Sequence, residues 1–181
     1  DFFDTIARRS AYLSLLTEYP HTLKRVVDMM HASGWAATFL TSHPVLLDEL
    51  LDDHAREAVP DYQVLAAELR EQLGTAAGDT ERQMDLLREA HHAYMFRLLA
   101  QDLAGLLTVE RLADFLSLLA DTIVAAAIQA VWETIASRHC EVPQFAVIAY
   151  GKLGGKELGY VSDLDVIFLF DDDDQEAPFN Y

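Results

Sequence analysis

The chain has 181 residues with 13 basic and 30 acidic side chains, and its formal charge of −17 argues against a nucleic-acid backbone as partner. Its 51% hydrophobic content is ample for a core, and a single cysteine, Cys140, excludes an internal disulfide framework and suits a reducing cytoplasm. No basic segment followed by an apolar one opens the chain, and no uncharged apolar run reaches about 18 residues, so a soluble cytoplasmic protein with no membrane partner is expected.

Phe3, Ile6, Leu13 and Leu16 recur at helical spacing and predict a helix over residues 2–18, which Pro20 ends. A second helix, Thr22–Ala32, would bury Leu23, Val26, Val27 and Met30, with Gly34 as its C-terminal cap. A short third segment, Trp35–Leu40, leads to Ser42-His43-Pro44, where the proline suits the first turn of a helix over Val45–Leu51. A charged linker containing Pro60 precedes a helix from Asp61 to Leu73, broken at Gly74 and Gly78. Thr80-Glu81-Arg82-Gln83 reads as a capping box opening a helix to about Ala104. After Gly105 another runs over Val109–His139, with Leu112, Phe115, Leu116, Leu119, Ile123, Ala127 and Val131 on one face. Its alanine-rich stretch Ile123–Ala130 would admit a close neighbour.

All seven histidines are read as structural. His21, His31, His43 and His54 fall at helix ends, His91 and His92 on different faces, and His139-Cys140 has no partner at metal-ligand spacing. Asp171–Asp174 reads as a solvated turn.

The chemistry is concentrated near the other end. Phe145–Tyr150 and Val166–Phe170 have the length and β-branched or aromatic content of buried strands. Between them lie Gly151, Gly154, Gly155 and Gly159, and then Asp163 and Asp165. In a strand, residues two apart share a face, so both carboxylates would project together, with Leu164 turned away. Like charges held so close call for a cation between them, and Mg²⁺ accepts one or two carboxylates beside phosphate oxygens. Glycines let a backbone approach phosphate closely. Neither a P-loop nor a dinucleotide-binding fingerprint can be drawn through this loop.

Gly154-Gly155, a spacer ending in Ser162, and Asp163-x-Asp165 entering a second strand is similar to the signature of the nucleotidyltransferase superfamily, with its polymerase β-like fold. The longer string GKLGGKELGYVSDLD, Gly151–Asp165, resembles nearly residue for residue the glutamine synthetase adenylyltransferase family of bifunctional adenylylating and deadenylylating enzymes. Arg8–Asp53 resembles the helices ahead of the C-terminal catalytic domain of that family, and Arg97 matches an arginine of its helices with no role assigned. The resemblance implies a mainly α chain: a multi-helix domain, 1–140, then the first strands of an incomplete α/β nucleotidyltransferase domain, 141–181. It implies transfer of AMP from ATP to a tyrosine of glutamine synthetase, with PII regulatory protein and glutamine as effectors.

In that reading Asp163 and Asp165 are the catalytic, Mg²⁺-holding pair. Gly154, Gly155, Ser162 and Lys152 lie at the nucleotide, and Lys156 adds charge. Tyr150, Gly159-Tyr160 and Leu164 side with the half that adds AMP, the half that removes it being the alternative. The family usually has Gly where Ala149 stands and a small or polar residue where Val161 stands; neither position belongs to the acidic pair. The superfamily needs a third carboxylate on a later strand, and a chain without an initial Met that stops soon after its second strand is expected to be an excised piece, inactive alone. A rival expectation makes the helical residues a docking module for glutamine synthetase or a regulator.

Overall fold

The computed structural model describes residues 10–51, 58–136, 138 and 140–170. Helices α1 (Ser10–Glu18), α2 (Pro20–Ala32) and α3 (Gly34–Ser42) lead into a 3₁₀ helix, Pro44–Leu50. Then come α4 (Tyr62–Thr75), α5 (Thr80–Leu103) and α6 (Val109–Thr134). Strand β1 (Phe145–Ala149), the single turn α7 (Gly151–Gly154) and strand β2 (Val166–Phe170) follow. The chain is therefore mainly α with a small sheet after the helices, as the sequence predicts. Residues 2–9 of the first expected helix, His54, His139 and the Asp171–Asp174 turn lie outside the described residues.

Helix ends depart from expectation for local reasons. Gly34 does not cap α2: Ser33 is extended, and its hydroxyl accepts the Ala36 N–H at 3.1 Å, so Gly34 begins α3. Gly74 lies inside α4, and the left-handed residue after that helix is Gly78, at φ +87°. The expected capping box is replaced by Asp79, whose Oδ1 accepts the Arg82 N–H at 3.0 Å. Gln83 instead reaches the Leu73 carbonyl at 3.2 Å. Pro44 does occupy a first turn, and Gly105, at φ +71°, follows α5 with its N–H on the Asp102 carbonyl.

The chain divides into two compact units, residues 1–60 with 92–108, and residues 61–91 with 109–181. The boundary expected near residue 140 falls within the second unit, and α5 contributes one part to each.

In the first unit, Val26, Leu40, Leu47, Phe96 and Leu98 are fully buried. Helix α2 turns Thr22, Val26 and Met29 inward, so Val27, expected in the core, is 48% exposed. Phe39 packs against Trp35, His43, His92 and Phe96, with ring centroids 4.7–6.4 Å apart. His43 and His92 also meet edge to face at 4.4 Å, and His43 caps the end of α3 as well, its N–H donating to the Phe39 carbonyl and its Nδ1 lying 3.0 Å from the same oxygen, so the cap and aromatic packing together account for it. His91 belongs to the second unit, and burial holds its imidazole pKa below its ordinary value. Arg97 acquires a role here: its Nε pairs with Glu49 of the 3₁₀ helix, and its guanidinium lies 5.0 Å from the Tyr94 ring. Arg25 Nη1 donates to the Leu50 carbonyl at 2.9 Å.

Thr22 is fully buried, and its hydroxyl has no hydrogen-bond partner among the described residues. Burying an unsatisfied hydroxyl costs about 1–3 kcal/mol. Thr22→Val, nearly isosteric, is expected to leave stability unchanged or raise it by about 1 kcal/mol in a denaturant titration. A loss of more than that would mean the hydroxyl is satisfied.

In the second unit, α4 packs on α6. Leu65, Leu69 and Leu73 of α4 are buried, as are Leu112, Leu116, Leu119 and Ala120 of α6, and Tyr62 Oη donates to the Phe115 carbonyl at 2.7 Å. The expected face of α6 fails at its end, where Val131 is 59% exposed while Ala130 is buried. At 3.6 residues per turn, twelve residues from Leu119 bring Val131 about 120° round the helix, whereas Ala130 returns to within about 20°. Helix α6 is long and apolar enough by composition to cross a membrane, but the core helix of a soluble protein passes the same test.

Trp132 of α6, 3% exposed, donates from Nε1 to the Cys140 carbonyl at 3.2 Å and meets the Phe145 ring at 6.5 Å, which ties the start of β1 to the helix. Strands β1 and β2 pair antiparallel, from Phe145 opposite Phe170 to Ala149 opposite Val166. The expectation that both strands are buried is not met: Ile148, Ile167, Phe168 and Leu169 are all exposed. Among the described residues no third strand extends the sheet, so its apolar side chains stay partly in water.

Candidate functional site

The glycine turn and the acidic segment meet where the two strands end. Tyr150 continues β1 in an extended conformation, and its N–H donates to the Asp165 carbonyl at 2.8 Å, adding a rung beyond the strand ladder. Gly151, at φ +55°, then bends the chain into α7, whose Leu153 is buried. The N–H groups of Gly154 and Gly155 are used inside this turn, on the Tyr150 and Gly151 carbonyls at 3.0 and 2.9 Å. A Cβ on Gly154 would stand 2.5 Å from the Ala149 carbonyl oxygen, so this glycine lets the turn lie against the end of β1.

Lys152 is exposed on α7, and its carbonyl accepts the Glu157 N–H at 2.8 Å. Lys156 adopts the left-handed conformation, at φ +54°, and its ammonium lies 3.8 Å from Asp114 of α6. Both partners are largely exposed, so this pair contributes little to stability. Ser162 closes a turn: its Oγ accepts the Gly159 N–H at 3.0 Å, and its own N–H donates to the Gly159 carbonyl at 3.1 Å. The hydroxyl proton of Ser162 is left for another acceptor.

Asp163 and Asp165 stand outside β2, in the segment that leads into it, three residues and one residue ahead of Val166. Both are exposed, and neither carboxylate has a hydrogen bond or ion pair among the described residues. They are hard oxygen donors open to solvent, which fits Mg²⁺. No group of three His, Cys, Asp or Glu able to hold a metal occurs among the described residues, so this pair supplies at most two protein ligands. The Asp165 carboxylate lies directly against Gly151, which the sequence does not place among the expected site residues. Only its place at the junction of strand and turn signals its importance.

The family model for glutamate-ammonia ligase adenylyltransferase matches residues 23–179, and the chain belongs to this family. It is 58% identical, over its whole length, to the bifunctional glutamine synthetase adenylyltransferase/adenylyl-removing enzyme of Ralstonia nicotianae. It is 60% identical over 177 residues to the protein of that name from Aromatoleum aromaticum, and 52% identical over 177 residues to that of Neisseria meningitidis serogroup B, each time over 98% of this chain. The chain spans about a fifth of the length of these relatives: 19% of the first two and 20% of the third.

Proposed function

We propose that this chain supplies the glycine turn and the metal-binding aspartates of a site that transfers AMP from ATP to a tyrosine of glutamine synthetase; the names of its relatives, which are adenylyltransferases of glutamine synthetase, support the transfer. The observation that carries the reading is the meeting of the turn with the exposed Asp165 carboxylate, with Asp163, also exposed, two residues before it. Asp163 and Asp165 would hold Mg²⁺, which when bound neutralises phosphate charge and favours the attacking oxygen. Asp165 is held by its rung to Tyr150, which keeps the acidic segment beside the turn. Lys152 offers an exposed ammonium to a phosphate, and Ser162 has a proton to donate. Gly154 and Gly155, their N–H groups already bonded, would serve by leaving the approach free of side chains.

A third carboxylate would come from elsewhere in the longer protein. The same reading makes PII protein and glutamine the effectors and the cytoplasm the setting. The experiment is AMP transfer from ATP to glutamine synthetase by the longer enzyme carrying Asp163→Asn or Asp165→Asn. Each change is expected to end transfer, and transfer retained in either variant would refute the reading.

A further inference from the structure

We infer that Gly151 is a positioning residue for Asp165: having no side chain, it leaves the place in which the Asp165 carboxylate stands. The use of that place for a metal rests on the function proposed above, whereas the contact itself does not. Two requirements coincide at Gly151. Its φ of +55° disfavours L side chains, and a Cβ built on it would overlap Asp165 Oδ2 well inside van der Waals contact. The first concerns only the turn, but the second reaches the acidic residue itself.

The relief falls on the Asp165 side chain. Asp165 cannot withdraw its backbone, because its carbonyl is held by the Tyr150 N–H at 2.8 Å. The turn is held at the end of β1, where Gly154 already lies against the Ala149 carbonyl and donates its N–H to the Tyr150 carbonyl at 3.0 Å. A side chain at 151 must therefore drive the carboxylate to another rotamer. Gly159 provides the contrast, since a Cβ there would meet Ser162 Oγ at an ordinary 3.6 Å.

Asparagine tolerates the left-handed conformation but carries a Cβ, so it separates the two requirements. The test uses the full chain with Gly151→Ala, Gly151→Asn and Gly159→Ala, the two Gly151 changes also being made in an Asp165→Ala background. Two readouts are needed: the melting temperature, and the broadening by Mn²⁺ of backbone amide signals at 151 and 163–165. Gly151→Ala is expected to lower the melting temperature by about 2–8 °C through its left-handed backbone, with a further loss from the overlap that disappears once Asp165 is Ala. Gly151→Asn should also destabilise, with the same relief. Broadening should be present in the unsubstituted chain and in Gly159→Ala, and lost in both Gly151 variants. Equal temperature losses in the two backgrounds, or full stability and broadening in Gly151→Asn, would overturn the inference and leave Gly151 serving the turn alone. Relief by Asp165→Ala with no Mn²⁺ broadening in the unsubstituted chain would uphold the positioning and count against the metal reading instead.

Discussion

Asp163→Asn or Asp165→Asn in the longer enzyme is expected to lower AMP transfer about 10²–10³-fold, the order lost when one preorganised electrostatic group is removed from a reaction site. The two residues are exposed and unpaired among the described residues, so neither holds the fold together. Each change also removes one of two like charges close in sequence, which relieves repulsion while no cation is bound. The melting temperature should therefore stay the same or rise as activity disappears. A structural role would give the opposite pattern, with activity and stability falling together. Measuring both on one preparation separates the two.

Phe96→Ala should have the largest effect on stability. Phe96 is fully buried on α5, with the Phe39 ring 6.4 Å away in the cluster that also holds His43 and His92. Removing a buried phenyl ring costs about 3–5 kcal/mol, as transfer free energy and as a cavity that neighbours only partly fill. For a chain of this size that corresponds to a fall of about 6–20 °C in melting temperature. Phe96→Leu keeps most of the volume and should lose about half as much or less. A loss below about 1 kcal/mol for Phe96→Ala in a denaturant titration would show that the site collapses or is not packed as described.

The sequence carries the helices well because apolar spacing is repeated over many residues, as along α6. It also carries the strand, glycine loop and acidic segment in their correct order. It misses what single residues decide, or what distant ones do. Whether Gly34 ends one helix or begins the next depends on one bond from the Ala36 N–H to Ser33, and Asp79 displaces Thr80 as a cap by the same kind of contact. Periodicity holds no record of His43 meeting His92 or of Arg97 pairing with Glu49, since 49 and 48 residues separate them in sequence. Composition predicts burial of β1 and β2, but burial requires neighbours, and among the described residues the sheet has two strands. At the site, the types and order of Asp163, Asp165 and the glycines are legible. The contact that singles out Gly151 is not, because it depends on a left-handed backbone meeting one carboxylate in space.

The most direct test of the central claim is to place Asp163→Asn in the longer enzyme and assay AMP addition and AMP removal on glutamine synthetase side by side. The function proposed above takes Tyr150, Gly159-Tyr160 and Leu164 as the residues that ally this glycine loop with the half that adds AMP. Addition is therefore expected to be lost and removal retained. Loss of removal with addition retained would contradict that assignment and place this segment in the other half.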